Sequence, residues 1–576
     1  MSYYSEASLV MIPSGVKDGK VYSAKPVDGS GDLTFSRGSD IEATRVAANG
    51  YIEKAKVNLL LQSNTFSTTW SNAATTETGG QAGYDGSSDA WRLVENTALS
   101  YHSMYQSSIH TGLSTFSVYA KTNGRDLQLR VNSIGLGKAF VNYDLSAGTI
   151  GLSGGSSLID SFIESVGGGW HRCSFSLSDS GTYGFDIIVI TDASTSTEIE
   201  QYTGDGTSGI YIQDAQLNYG LVAQDYQETT TTSVITGITN DMPRLDYSGG
   251  ASCPSLLMEG ERRNLVTQSE YYGAWTTIGT ATFTANYGAS PEGVNNAYRF
   301  EATSGTRGGK FVTISVLSGT TYTLSIYAKS LSGTQKIRIG ADDGCSTPQG
   351  AQTFDVTTEW QRFSITIAST QTSWNLFLDN VESGTACTGT YLDADLLIYG
   401  FQCEAGSNST SYIPNYGLVA GATRTADAAY KTGISSLIGQ TEGTLFVEVD
   451  YTNTGESQTY ITISDGTINN RITLSYSLTL NCLNAFARVG GSTQALMTSA
   501  TSPANGIKKI AVAYKLNDYR FYINGTEVAV DSSALVPTCS RIDVGSLLAT
   551  GNESSVKQAI LFPTRLSNSD LAALTA

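Results

Sequence analysis

The chain has 576 residues, with 34 Lys and Arg against 52 Asp and Glu, for a formal net charge of −18. That excess of negative charge excludes nucleic acid and anionic membranes as partners held by charge, and the absence of any run of about 18 apolar residues argues against insertion into a membrane as a helix. Only 15% of residues are charged while 60 are Gly and 32 are Tyr, the composition of an all-β chain with many tight turns, organised as about four domains at roughly 150 residues each.

The start, Met1-Ser-Tyr-Tyr-Ser-Glu6, lacks the basic residues and apolar stretch of a signal peptide, so the chain is expected to be assembled where it is made. Residues 1–55 are expected to form an N-terminal attachment segment. Their apolar bursts, such as Leu9-Val-Met-Ile-Pro13, are short and separated by Asp18-Gly19 and Asp28-Gly29, which predicts small strands that need a neighbour or a sister chain for burial. Asn49-Gly50, ahead of Tyr51-Ile52-Glu53, predicts a hairpin turn because both residues tolerate positive φ.

The next feature is a duplication. Asn58-Leu-Leu-Leu-Gln62-Ser63 reappears as Asn264-Leu-Val-Thr-Gln268-Ser269, Ala90-Trp91-Arg92-Leu93 as Ala297-Tyr298-Arg299-Phe300, and Ser117-Val-Tyr119-Ala-Lys121 as Ser325-Ile-Tyr327-Ala-Lys329. Trp170-His171-Arg172 then matches Trp360-Gln361-Arg362 only after the Gly- and Ser-rich stretch 146–169 of the first copy is skipped. Strict alternation in both copies, with Phe116, Val118 and Ala120 on one side and Tyr322, Leu324 and Ile326 likewise, predicts two-sheet sandwiches. The modules are placed at 56–228 and 263–420. A Thr-rich linker, 229–262, is expected between them, and Thr44-Arg45, Pro243-Arg244 and Thr423-Arg424 mark similar joints. The hexapeptide Asn-Tyr-Gly-Leu-Val-Ala at 218–223 and 415–420 is out of register with the rest of the repeat.

From 421 to 576 the pattern changes to long apolar strands, an Asn524-Gly525 hairpin turn, and a closing Ser567-Asn-Ser-Asp570-Leu that reads as a capped short helix.

The phrase Thr44-Arg45 through Asn49-Gly50-Tyr51-Ile52-Glu53, followed by Asn58-Leu-Leu-Leu-Gln62-Ser63 and Trp70, resembles bacteriophage head-spike and tail-fibre proteins. The two modules look like the jelly-roll carbohydrate-binding domains of such proteins, and 421–576, ending Phe562-Pro-Thr-Arg565-Leu-Ser567, is similar to a concanavalin/laminin-G-like sandwich. The resemblance implies an all-β, multidomain chain of β-sandwiches at the virion surface, a homotrimer, other virion proteins as partners of the N-terminal segment, and contact with host-surface glycans. Capsid decoration without a ligand remains the alternative, and a polysaccharide-degrading enzyme a more distant one.

Chemistry is sparse. No Gly-x-Ser-x-Gly, Walker or His-Glu-x-x-His motif occurs, and the chain is not expected to be an enzyme. His102 and His110 would lie on one face of a strand but about 27 Å apart, too far to share a metal. His171 stands where the second copy has Gln361. Asp85 and Asp89, and Asp342 and Asp343, form loop clusters with the oxygen chemistry of a calcium site, though solvated turn carboxylates are the commoner reading; no other cofactor is expected. Seven Cys occur as singletons, with Cys345 and Cys387 the pair a sheet could bring together. Aromatic rings are the better ligand candidates, since sugars stack on them. Most of the six Trp pair with an aromatic in the other copy, which points to a shared core and leaves Trp91 and Tyr298 as candidates.

Overall fold

A computed structural model describes residues 3–133, 136–342, 349–383, 389–548, 550–551 and 553–576. Asp343, Cys345 and Cys387 lie outside the described residues, as does the side chain of Asp342. The chain is all-β apart from short helical turns and the C-terminal helix Asn568–Thr575. Ser567 caps that helix by accepting from the Asp570 N–H at 3.2 Å.

The organising unit is a discontinuous sandwich. Leu9–Met11 pairs with Ala559–Leu561 of the last strand, Thr34–Ser36 with Ala428–Tyr430, and Leu256–Met258 with Ser554–Val556. Three stretches far apart in sequence therefore share one hydrogen-bonded sheet path and one core, in which Leu9, Phe35, Leu256, Val447 and Leu561 are all buried. Residues 1–55 and 229–262, expected as a segment of their own and a linker, instead contribute strands to the C-terminal sandwich. Their short strands complete the C-terminal sandwich, because a strand as brief as Leu33–Ser36 cannot bury an apolar face without a partner. The two duplicated modules are insertions into this sandwich.

The joints meet in one place. Arg244 pairs with both Glu259 and Asp427, Arg424 lies 3.0 Å from Glu259, and Arg37 lies 3.3 Å from Asp427, with all three guanidinium groups fully buried. Arg45 stays out of this network and pairs with Glu53 beside the Asn49-Gly50 turn, where Arg45–Val46 meets Ile52–Glu53 as a hairpin. The Asn524-Gly525 hairpin forms likewise, with φ of +46° and +80° at the two turn residues.

Within the modules the repeated motif has a physical role. Asn58 Oδ1 accepts from Leu60 and Leu217 N–H, and Asn264 Oδ1 from Val266 and Cys403 N–H, so each Asn clamps the module entry to its closing strand. Trp70 donates its indole N–H to the Gln62 carbonyl at 3.2 Å and Trp275 to the Gln268 carbonyl at 3.1 Å. Ser63 and Ser269 meet the hydroxyls of Tyr226 and Tyr412.

The modules differ in continuity. In the first, His102–Asn123 and Trp170–Ile190 run unbroken through one ten-stranded sheet; in the second each is split between two five-stranded sheets, into Gly308–Ser315 with Thr321–Ser330 and Gln361–Ala368 with Ser373–Asp379. The extra stretch 146–169 forms Thr149–Gly154, which pairs with Leu136–Asp144, and Leu158–Gly167, which pairs with Trp170–Ile190. The out-of-register hexapeptides meet across the module boundary, where Tyr219 and Tyr416 stack with centroids 5.5 Å apart.

Candidate functional site

The strand His102–Asn123 alternates. His102, Met104 and Gln106 turn inward and are buried, which places Tyr101, Ser103, Tyr105, Ser107 and Ile109 on the outer face. Tyr101 and Tyr105 remain 40% and 41% exposed and Ile109 71%. An exposed row of two rings and an aliphatic group on an ordered strand is unusual for a surface without a ligand.

Neighbouring strands bring polar groups beside this row. Tyr105 stands opposite Asp186, and Asp186 opposite Arg130. Together with Asn132 and Ile199 these residues line a groove of about 630 Å³. Gly184 keeps the floor low: a Cβ there would sit 2.8 Å from the Asn132 amide.

Arg130 Nη1 donates to Asp186 Oδ2 at 2.9 Å, its Nε to Glu198 at 2.8 Å, and Asn132 Nδ2 also donates to Asp186 Oδ2, at 2.7 Å. Arg130 Nη2 is buried without a partner, and Asp186 Oδ1 accepts nothing among the described residues. Burial pushes the Asp186 carboxyl above its ordinary range, against the pull of Arg130. One guanidinium faces two carboxylates, so the site is negative overall, with Arg130 Nη2 left unmatched below the surface.

The second module carries the corresponding cross-strand pair, Arg338 opposite Asp379. There Arg338 donates through Nε and Nη2 to both carboxylate oxygens, at 2.9 and 2.8 Å, Arg307 adds a third bond at 2.8 Å, and the Val381 N–H a fourth at 3.2 Å. Phe377 fills the space between the two guanidinium groups, with centroid distances of 5.4 and 4.9 Å, and is fully buried. Gly309 stands opposite Asp379 where the first module has Tyr105 opposite Asp186.

The sequence candidates fall elsewhere. Tyr298 is only 2% exposed and packs edge-on against Tyr272, so it is a core ring and offers no face to a ligand. Trp91 is half-buried: its N–H donates to the Asn64 carbonyl at 3.0 Å, Phe66 lies edge-on, and Gly79 packs against the indole. Shared aromatic positions in the two copies mark a shared core. Asp85 and Asp89 are held by the Ser87 and Gln213 side chains and the Ser87 N–H, and no group of three or more His, Cys, Asp or Glu arranged to hold a metal occurs among the described residues. Asp342 falls opposite Asn375 in register. His102 Nδ1 meets the Ala74 carbonyl at 2.7 Å, and His110 packs on Tyr183. Tyr101, Tyr105, Arg130 and Asp186 went unnoticed in the sequence. The signal was the outer half of the alternation in 101–109, whose two Tyr occupy positions that solvent would ordinarily fill with small polar residues.

No protein-family model and no curated protein matches the sequence. Among solved structures the chain is similar to the CBM40 module of a Ruminococcus gnavus IT-sialidase, at 15% identity over 25% of this chain and 91% of that one, with a TM-score of 0.22. It is also similar to the tandem CBM22 domains of Paenibacillus barcinonensis Xyn10C, at 12% identity, 64% and 98% coverage and a TM-score of 0.21. A third is TmCBM61, solved with β-1,4-galactotriose, at 14% identity, 24% and 97% coverage and a TM-score of 0.19. At these TM-scores the likenesses carry no functional argument.

Proposed function

We propose that the chain is a glycan-binding protein whose first module holds a neutral oligosaccharide along the outer face of residues 101–109. The observation that carries this reading is the two half-exposed Tyr rings on a groove lined by Arg130, Asn132 and Asp186. Sugar C–H faces stack on Tyr, and hydroxyls donate, which suits the Asp186 oxygen left without a donor. Tyr101 and Tyr105 are about 13 Å apart along the strand, a span for several sugar units rather than one. The net negative site disfavours sialic and uronic acids.

The role is binding without catalysis. Asp186 and Glu198 share the single guanidinium of Arg130, so neither is placed to attack or to protonate a glycosidic bond. The fully bonded pair of the second module favours a spacer role for that copy. The fibre-like motifs of 44–70 support placing the protein on a bacteriophage virion, as a head or tail fibre or spike and as a homotrimer. Light scattering of the full chain tests the trimer, and mass spectrometry of purified particles tests the location. A glycan array tests the binding: retention of neutral oligosaccharides that is lost in Tyr105→Ala supports it, and retention of none refutes it.

A further inference from the structure

The outer face of the C-terminal sandwich carries a positive charge that the rest of the chain leaves unanswered. Arg471, on the strand Arg471–Ser477, stands directly opposite Arg488, on Cys482–Val489. Ile472, Leu474, Ala485 and Ala487 alternate with them and are buried in the core, so both Arg lie on the outward face. Like charges directly opposite in a sheet are destabilising. A second opposed pair, Arg262 and Arg424, is compensated: Glu404 and Glu456 face Arg262, and Glu259 faces Arg424. Arg541, across Ser464 from Arg471, is likewise matched, by Asp543 at 2.6 Å. Neither Arg471 nor Arg488 has a carboxylate partner among the described residues.

The two heads are positioned but not satisfied. Both guanidinium carbons lie 5.3 Å from the centroid of the Phe486 ring, and Arg471 Nη1 donates to the Ile468 carbonyl at 3.1 Å. Their Nε atoms are buried and out of a ligand's reach. Arg471 Nη2 and both Nη atoms of Arg488 have no partner among the described residues and are not buried, so they are the donors a ligand meets. Burial and the neighbouring Arg488 charge both lower the pKa of Arg471, yet a guanidinium stays charged at any physiological pH. Leu496, 50% exposed and opposite Phe486, gives the patch an apolar edge.

Two uncompensated positive charges call for an anion, and charge counting selects among anions. A carboxylate brings one negative charge and leaves one guanidinium unmatched. A phosphate group brings about 1.5 to 2 at neutral pH, with three strong acceptor oxygens, and the planar forks of Arg match it bidentately. We infer that Arg471 and Arg488 together bind a dianionic phosphate group on the outer face of the C-terminal sandwich, with Phe486 and Leu496 beside it for the body of the ligand. This site lies on a different domain from the groove of the first module, and it stands whether or not that groove binds glycan. The same chemistry is available from free phosphate and from a phosphorylated sugar.

The test is calorimetric titration of the full chain at pH 8 with inorganic phosphate, with glucose 6-phosphate, and with glucuronate as the monoanionic match. Saturable binding of glucose 6-phosphate alone supports a phosphorylated sugar, and binding of inorganic phosphate, with or without the ester, supports recognition of the free anion. Arg471→Gln and Arg488→Gln are each expected to weaken binding by roughly tenfold. Neither is expected to lower Tm, because each removes one of two facing like charges. The inference is overturned if neither phosphate binds at millimolar concentration, if glucuronate binds equally well, or if both variants bind like the parent chain.

Discussion

The first and second modules share an entry motif, a Trp indole bonded to a Gln carbonyl, and a buried cross-strand Arg–Asp pair, yet only in the second is the carboxylate bonded through both oxygens. In the second module Asp379 takes four hydrogen bonds and Phe377 seals the guanidinium groups. In the first, two Tyr stand beside a pair that leaves Arg130 Nη2 unmatched. A duplicated scaffold thus keeps its inward residues, which the core demands, while its outward residues diverge. The buried pair retained in both copies is a scaffold feature whose hydrogen bonding differs between them.

The largest expected difference between the modules lies at the carboxylates. Asp379→Ala removes the carboxylate that Arg338 and Arg307 share and is expected to cost about 3–5 kcal/mol of stability. Asp186→Ala, where Glu198 still holds Arg130, is expected to cost about 1–3 kcal/mol and to abolish glycan binding. Urea unfolding of the two variants checks the order, and equal losses would mean that the first pair is as closed as the second. Next comes the strand position opposite each Asp. Tyr105→Ala is expected to leave stability within about 0.5 kcal/mol while weakening glycan binding roughly tenfold. The reciprocal Gly309→Tyr destabilises without creating binding, because its Cβ would sit 2.2 Å from the Leu378 carbonyl oxygen.

A smaller contrast lies at the bulge of each closing strand, where Asp214 in the first module and Gly400 in the second have φ of +56° and +64°. Burial, with Asp89 and Asp85 nearby, pushes the Asp214 carboxyl up to about 7 from 3.8. A carboxyl raised in the folded state loses stability as pH rises from 3.8 to 7. Asp214→Asn cannot ionise, so its stability advantage, read from urea unfolding, should grow through that window and stay constant above it, reaching about 1–2 kcal/mol. Gly400→Ala, strained at positive φ and 3.0 Å from the Tyr412 ring, is expected to lose about 1 kcal/mol at every pH. A pH-independent Asp214→Asn effect would show that this carboxyl is not held neutral.

What was legible in the sequence was local. The duplication, the Asn49-Gly50 and Asn524-Gly525 turns and the Ser567 cap each depend on neighbours in the chain, and each is present in the fold. The sandwich that Leu9 completes with Leu561 was not legible, since no local pattern reports a partner at the other end of the chain. The Arg joints were visible as motifs, but their convergence on Glu259 and Asp427 was not, and Arg37 rather than Arg45 is the third member. The groove escaped notice because its Tyr are informative only once the inward face of 102–106 is known. Tyr298 misled for the opposite reason: an aromatic shared by two copies is a core position before it is a ligand platform.

Glycan binding by the first module at its Arg130–Asp186 face, as proposed, is checked by titration of one panel of neutral, sialylated and uronate oligosaccharides against the full chain and against Tyr105→Ala. Neutral oligosaccharides are expected to bind, with affinity rising with length until both Tyr are spanned, and Tyr105→Ala is expected to remove most of that affinity. Binding of the acidic sugars, or binding that Tyr105→Ala leaves intact, would contradict the proposal.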